Sequence, residues 1–152
     1  MKELHLRDLI ARFLKDDKDA ISFIMSIHDL VEIWDDLVDK DNPVSQEQVN
    51  SAFYAALITI PRNQFYARHF AELNLTIENA IIDWMSANAL EATGDAEKLR
   101  MAYVLRSSAM TLTTVCANII GGPAWALKVN TEFRAMGDTW DEYAAGFSKK
   151  EA

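Results

Sequence analysis

Residues 19–41, DAISFIMSIHDLVEIWDDLVDKD, mix apolar and acidic side chains at a helical rather than a strand period, and this commits the chain to helices before anything else. At about 100° per residue, Leu37, Leu30, Phe23, Trp34, Ile27, Val38, Val31 and Ile24 fill one continuous face. The other face is acidic. His28, Glu32, Asp35 and Asp39 fall within an arc of about 60°, with Asp29 and Asp36 beside them. Such a helix buries one side against a core and offers the other to water or to a cation.

The rest of the chain has the punctuation of helices. Only five Gly and three Pro occur in 152 residues, and no strand alternation of useful length is present. Residues 2–14 form a short amphipathic helix with Leu6, Leu9, Ile10 and Phe13 as its stripe, and the KDDKD cluster at 15–19 ends it and caps the next. Asp41-Asn42-Pro43 stops the acidic helix, because a residue before proline is pushed out of the α region. Ser45 and Gln48 have capping-box spacing and open a helix towards Ile60, which Pro61 kinks or restarts. Thr76 predicts an N-cap for a helix over 77–93, Gly94 ends it, and Asp95 caps a long helix over 96–120. Gly121-Gly122-Pro123 stops that helix, another covers 124–136, and Thr139 with Glu142 forms a second capping box. The expectation is an all-α, single-domain bundle of about six or seven helices over residues 1–147, with a polar tail at 148–152.

Composition narrows the partners. A net charge of −8 without Lys/Arg clusters argues against nucleic acid, whose phosphates demand such clusters, and is compatible with cations. A single cysteine, Cys116, makes no internal disulfide, and the charged N-terminal stretch MKELHLRDLIARFLKDD is unlike a signal peptide, so a cytoplasmic location is expected. Residues 107–127 carry no charge, close to the roughly 20 positions a membrane span requires. Six hydroxyl or amide side chains and the Gly-Gly-Pro end make this stretch a buried core helix rather than a membrane span. Four Trp and seven Phe supply core and interface, which leaves a homo-oligomer open.

Three polar rows stand out on helices. Asp35, Asp36, Asp39 and Asp41 crowd the negative end of a helix dipole, where each is destabilised and a cation such as Mg²⁺ or Mn²⁺ with oxygen ligands relieves the repulsion. Asn88 and Glu91 continue the apolar row of Ile77, Ile81 and Trp84, so they need a metal or a facing Arg as partner. Arg100, Ser107, Thr111, Thr114 and Asn118 share a third row, which with Arg106 can receive a phosphate. Arg62, Arg68 and His69 form a small basic group near Pro61, read as surface residues.

Asp35-Asp36-Leu37-Val38-Asp39 has the form DDxxD and resembles the first metal motif of class I terpenoid synthases, including prenyl diphosphate and phytoene or squalene synthases. The resemblance implies an α-helical bundle in which Asp35, Asp36 and Asp39 hold Mg²⁺ ions that grip a substrate diphosphate; Asn88, Glu91 and Asp95 loosely echo the second motif. His28-Asp29 also resembles the His-Asp pair of HD-type phosphohydrolases, with His5 and Asp83 or Asp95 as the remaining ligands. Two functions follow as expectations. One is a metal-dependent protein that binds or transforms a phosphorylated small molecule, with His28, Glu32, Asp35, Asp36, Asp39, Asn88 and Glu91 as metal ligands and Arg100 and Arg106 on the phosphate. The other is a non-catalytic assembly protein whose acids are a solvated or docking face.

Overall fold

The computed structural model describes residues 3–148, and among these every regular element is helical, as expected. Residues 149–152 of the polar tail lie outside the described residues. The helices are α1 (Glu3–Phe13), α2 (Lys18–Asp39), α3 (Gln46–Tyr54), α4 (Ile60–Arg62), α5 (Gln64–Arg68), α6 (Phe70–Glu91), α7 (Ala96–Leu105), α8 (Met110–Gly121), α9 (Pro123–Ala135) and α10 (Trp140–Ser148), with a π-helical segment, Ala55–Thr59, joining α3 to α4. None of them is long and apolar enough to cross a membrane. The chain forms two compact units, Met1–Ala71 and Glu72–Ala152.

In the first unit the cap chemistry holds. Lys15 and Asp16 take positive φ to turn the chain after α1, and Asp17 accepts a bond from the Ala20 amide at 3.0 Å to start α2. Lys40, also at positive φ, ends α2 at Asp39, two residues ahead of the stop expected from Pro43. Ser45 and Gln48 close a reciprocal capping box, the Ser45 amide donating to Gln48 Oε1 at 2.9 Å and the Gln48 amide to Ser45 Oγ at 3.1 Å. Pro61 lacks an amide hydrogen and crowds the preceding turn; the chain widens there into the π segment, whose Ala55 carbonyl accepts from the Ile60 amide. Asn63 then links two elements: its Oδ1 accepts from the Tyr66 amide, and its Nδ2 donates to the Asp19 carbonyl at 2.9 Å. This holds α5 across the first turn of α2.

The core of this unit is built from Ile10, Phe13, Leu14, Ile21, Phe23, Ile24, Ile60, Phe65 and Tyr66, with Phe23 stacked on Tyr66 at 5.0 Å. One expectation fails here. The apolar face of α2 is buried only as far as Met25; Leu37 and Val38 are about half exposed. α1 and α5, which pack on α2, are short, and α3 and the π segment beyond them leave Leu30, Ile33 and Trp34 half-buried.

The second unit departs from the expected boundaries twice. Thr76 caps nothing. It lies inside α6 with its Oγ1 donating to the Glu72 carbonyl at 2.7 Å, and with no Gly or Pro between Phe70 and Glu91 the helix runs through it. The run over 96–120 is broken at 106–109, which raises the count of longer helices to eight. Ser107 Oγ donates back to the Val104 carbonyl at 2.8 Å, while Arg134 donates to the Ser107 carbonyl at 2.9 Å. The helix end is thereby satisfied by side chains instead of by another turn.

Elsewhere the caps are as expected. Asp95 Oδ1 accepts from the Glu97 and Lys98 amides, each at 3.0 Å, and Thr139 and Glu142 form the second capping box. Between α8 and α9 a single residue, Gly122, reverses the chain at φ 84° and ψ 177°, a conformation that a side chain strongly disfavours. Gly121 before it lies so close to Trp125 that an added Cβ would meet the indole Cδ1 at 2.5 Å. The uncharged stretch is core only in part: Leu112, Thr113, Cys116 and Ala117 of α8 are buried, while Asn118 and Leu127 are exposed and Gly122 divides the run between α8 and α9.

Candidate functional site

On α2 the side chains that come together lie before the DDxxD motif. His28, Asp29 and Glu32 each offer a donor atom within 4.8 Å of the others, the one such group of three among the described residues. The imidazole sits between the two acids, Nδ1 3.7 Å from Asp29 Oδ1 and Nε2 3.5 Å from Glu32 Oε1. Nδ1 is buried and has no hydrogen-bond partner. Both carboxylates are well exposed, so rotation about their side chains can close this set on one ion. A nitrogen and two oxygens suit Mn²⁺, Fe²⁺ or Zn²⁺ better than Mg²⁺, which prefers an all-oxygen octahedron.

The DDxxD acids are divided. Asp36 faces α3 across a cleft of about 560 Å³, where it joins Asp29 and Glu32 along one wall and accepts a hydrogen bond from Asn42 Nδ2 at 3.0 Å. Asp35, half-buried, and Asp39, exposed, lie on the neighbouring side of α2, in the row of His28 and Glu32. Ser45, the N-cap of α3, and Gln48 and Ser51 within it form the opposite wall, Leu30, Ile33, Ala52 and Ala55 the apolar floor, and Glu47 adds a fourth acid to the lining. No Lys or Arg lines this cleft. It therefore presents a negative field that an anion enters only with a metal ion.

In the second unit the expected ligands are paired with one another. Arg106 donates from Nε to Glu91 Oε1 at 2.9 Å, from Nη2 to Glu91 Oε2 at 2.6 Å and from Nη2 to Asn88 Oδ1, and its guanidinium lies over the Trp84 ring at 5.5 Å. Tyr143 donates its hydroxyl to Glu91 Oε1 at 2.6 Å. Asn88 and Glu91 are thus the partners of a facing Arg, and the metal-ligand role expected for them gives way to a bidentate pair. The same pairing withdraws Arg106 from the phosphate role. Arg100 is exposed and lies over the Trp140 ring at 5.4 Å.

The hydroxyl row is also spoken for. Arg134 donates to Ser107 Oγ, to Thr111 Oγ1 at 2.8 Å and to Asn130 Oδ1 at 3.2 Å, and Thr114 bonds the same Asn130 oxygen at 3.0 Å. Arg134, Asn130 and Tyr143 were not singled out by the sequence. The spacing of Asn130 and Arg134, four apart on one helix, was the available signal. Around Pro61, Arg62 and Arg68 are exposed, as expected, while His69 is half-buried against Phe65 at 4.9 Å.

Burial first, and then the hydrogen bond to Glu91 and the charge of its carboxylate, push the Tyr143 phenol well above its ordinary value, against a smaller opposing effect of Arg106. The folded state therefore holds this proton more tightly than the unfolded chain. That contribution is complete below about pH 10, the unfolded value, and is lost as pH climbs towards the raised native one. Urea midpoints measured between about pH 9 and about pH 11 are expected to fall in the wild type and to fall less in Tyr143→Phe; parallel curves would remove Tyr143 as the cause.

Comparison with known proteins returns no match to a family model, to a curated protein or to a solved structure.

Proposed function

We propose that the chain is a divalent-metal-binding helical protein whose α2 holds the ion through His28, Asp29 and Glu32 and uses it to bind a phosphorylated small molecule in the cleft against α3. The observation that carries this reading is the His28 imidazole set between two exposed carboxylates, with a buried Nδ1 that has no hydrogen-bond partner. A His and a Glu four apart on a helix face the same side, the arrangement by which helices chelate ions. The lining of the cleft supports a metal-bridged anion, because its acids, Asp29, Glu32, Asp36 and Glu47, repel a bare phosphate. The DDxxD resemblance favours a diphosphate as the anion, with Asp36 the motif acid on the cleft side.

Thermal unfolding of the whole chain tests this, first with millimolar Mn²⁺, Zn²⁺ or Mg²⁺ and then with inorganic pyrophosphate added. An ion that binds the native state at about 100 times its Kd adds about 2.7 kcal/mol, a rise of several degrees in Tm. The expected order is Mn²⁺ or Zn²⁺ above Mg²⁺, a further rise with pyrophosphate only when metal is present, and loss of the metal effect in His28→Ala. A Tm that no ion moves would defeat the proposal. A chain stabilised by neutralising the acids, alike with and without metal, would point to a non-catalytic acidic face instead.

A further inference from the structure

Val49, Phe53, Ala56 and Ile60 recur at the spacing of one apolar helix face, with Leu57 at its edge. In a continuous α-helix running to the buried Ile60, Phe53 would lie on the same side as Ile60, towards α2. The structure departs from this. Phe53 is 65% exposed, and Gln48, Ser51, Ala52 and Ala55 line the cleft against α2 instead. The π segment is the physical reason. Its Ala55 carbonyl accepts from the Ile60 amide, a bond that spans five residues where an α-helix spans four, so the turn holds one residue more. One extra residue rotates the helix ahead of it by about 100°, which carries Phe53 outward and brings Gln48, Ser51 and Ala55 round onto the cleft.

We propose that the π segment is a register switch that opens and closes this cleft. In the π register, the one described above, Gln48 and Ser51 form the wall and the cleft is open. In an all-α register Ser51 turns to solvent and Phe53 enters the cleft against Leu30 and Ile33. Two effects oppose one another. Burial of the Phe53 ring favours the α register. Pro61 opposes it, because in a regular α turn its ring crowds the Leu57 carbonyl and it has no amide to offer. α3 is able to turn: neither it nor the π segment contains a fully buried residue, and the fixed point beyond them is Ile60, 5% exposed. Coupling to a ligand rests on the metal reading above. A metal-bound phosphate and the Phe53 ring compete for the same space, so the ligand selects the π register.

Carbene footprinting of the whole chain, read residue by residue by mass spectrometry, tests the switch in the wild type and in Pro61→Ala, which removes the obstacle to the α register. Labelling of Phe53 is expected to fall about fivefold or more in Pro61→Ala. Tyr54, which points away from α2 in both registers, keeps its labelling, and the buried Phe23 stays unlabelled in both chains. Mn²⁺ with inorganic pyrophosphate restores the labelling of Phe53 in Pro61→Ala. The same variant shows a smaller rise of Tm with these ligands than the wild type, and adding Phe53→Ser, which takes away the ring that fills the cleft, recovers it. Equal labelling of Phe53 in the two chains overturns the switch whether or not metal binds, as does a Pro61→Ala chain that loses its fold. Ligands that raise the Tm of the wild type but leave Phe53 covered in Pro61→Ala overturn the coupling. A wild-type Tm that no ion moves defeats the metal reading, and the fall in Phe53 labelling then decides the switch alone.

Discussion

Arg106→Met is expected to lower the stability of the chain by about 2–4 kcal/mol, read as a lower urea midpoint with an unchanged slope. Methionine matches the length of the stem but makes none of the bonds to Glu91 and Asn88. Glu91 is 14% exposed and Arg106 23%, so the variant strands a carboxylate with little water to solvate it. Tyr143 can still donate to Glu91, which keeps the cost below that of a fully buried orphan charge. Adding Glu91→Gln to Arg106→Met is expected to recover part of the loss, because the stranded charge is gone; the two single variants and the double close a cycle that isolates the coupling. A loss under about 0.5 kcal/mol would place the pair among surface ion pairs and remove it as the organiser of the second unit.

Phe23→Ala is expected to cost about 3–5 kcal/mol, by the same urea measurement. Phe23 is 1% exposed and stacked on Tyr66, so truncation loses both the transfer of the ring and its contacts, and leaves a cavity that the surrounding α1 and α5 cannot fill without moving. The effect reaches the candidate site, because Phe23 belongs to the buried part of α2 and His28 stands five residues on, where the helix becomes half-buried. Leu37→Ala, near the far end of the same helix, is expected to change stability by less than about 0.5 kcal/mol, since Leu37 is 49% exposed. Comparable losses at the two positions would mean that the whole length of α2 is packed.

This contrast along α2 bears on the metal proposal. The acids of α2 lie beyond its buried first turns, alongside α3, where an added ion can change local order without disturbing the core. The proposed site is therefore expected to reveal itself in protection of the α2 and α3 amides against hydrogen exchange more than in global unfolding of the second unit, since its ligands lie in the first unit alone.

Short-range chemistry could be read directly from the chain. Asp17, Ser45 with Gln48, Asp95 and Thr139 with Glu142 cap helices where their spacing says they should, because a cap needs only a side chain and amides two or three residues away. Gly122 and Pro123 reverse the chain for the same local reason. The acids of α2 share a face because the period of a helix puts them there, whatever surrounds it.

What the chain alone left open concerned partners distant in sequence. Asn88 and Glu91 needed a metal or a facing Arg, and only the fold selected Arg106, eighteen and fifteen residues away respectively, together with Tyr143, fifty-two from Glu91. The hydroxyl row of the supposed long helix became the receptor of Arg134, whose bonds to Ser107 and Thr111 stand at the break between α7 and α8. The apolar face of α2 was legible to its last turn, but how much of it is covered depends on how α1, α3 and α5 pack alongside it. Caps and periods are decided within a turn or two of helix. Which buried polar group meets which, and how far an apolar face is covered, is decided by desolvation across elements, and that exists only once the chain has folded.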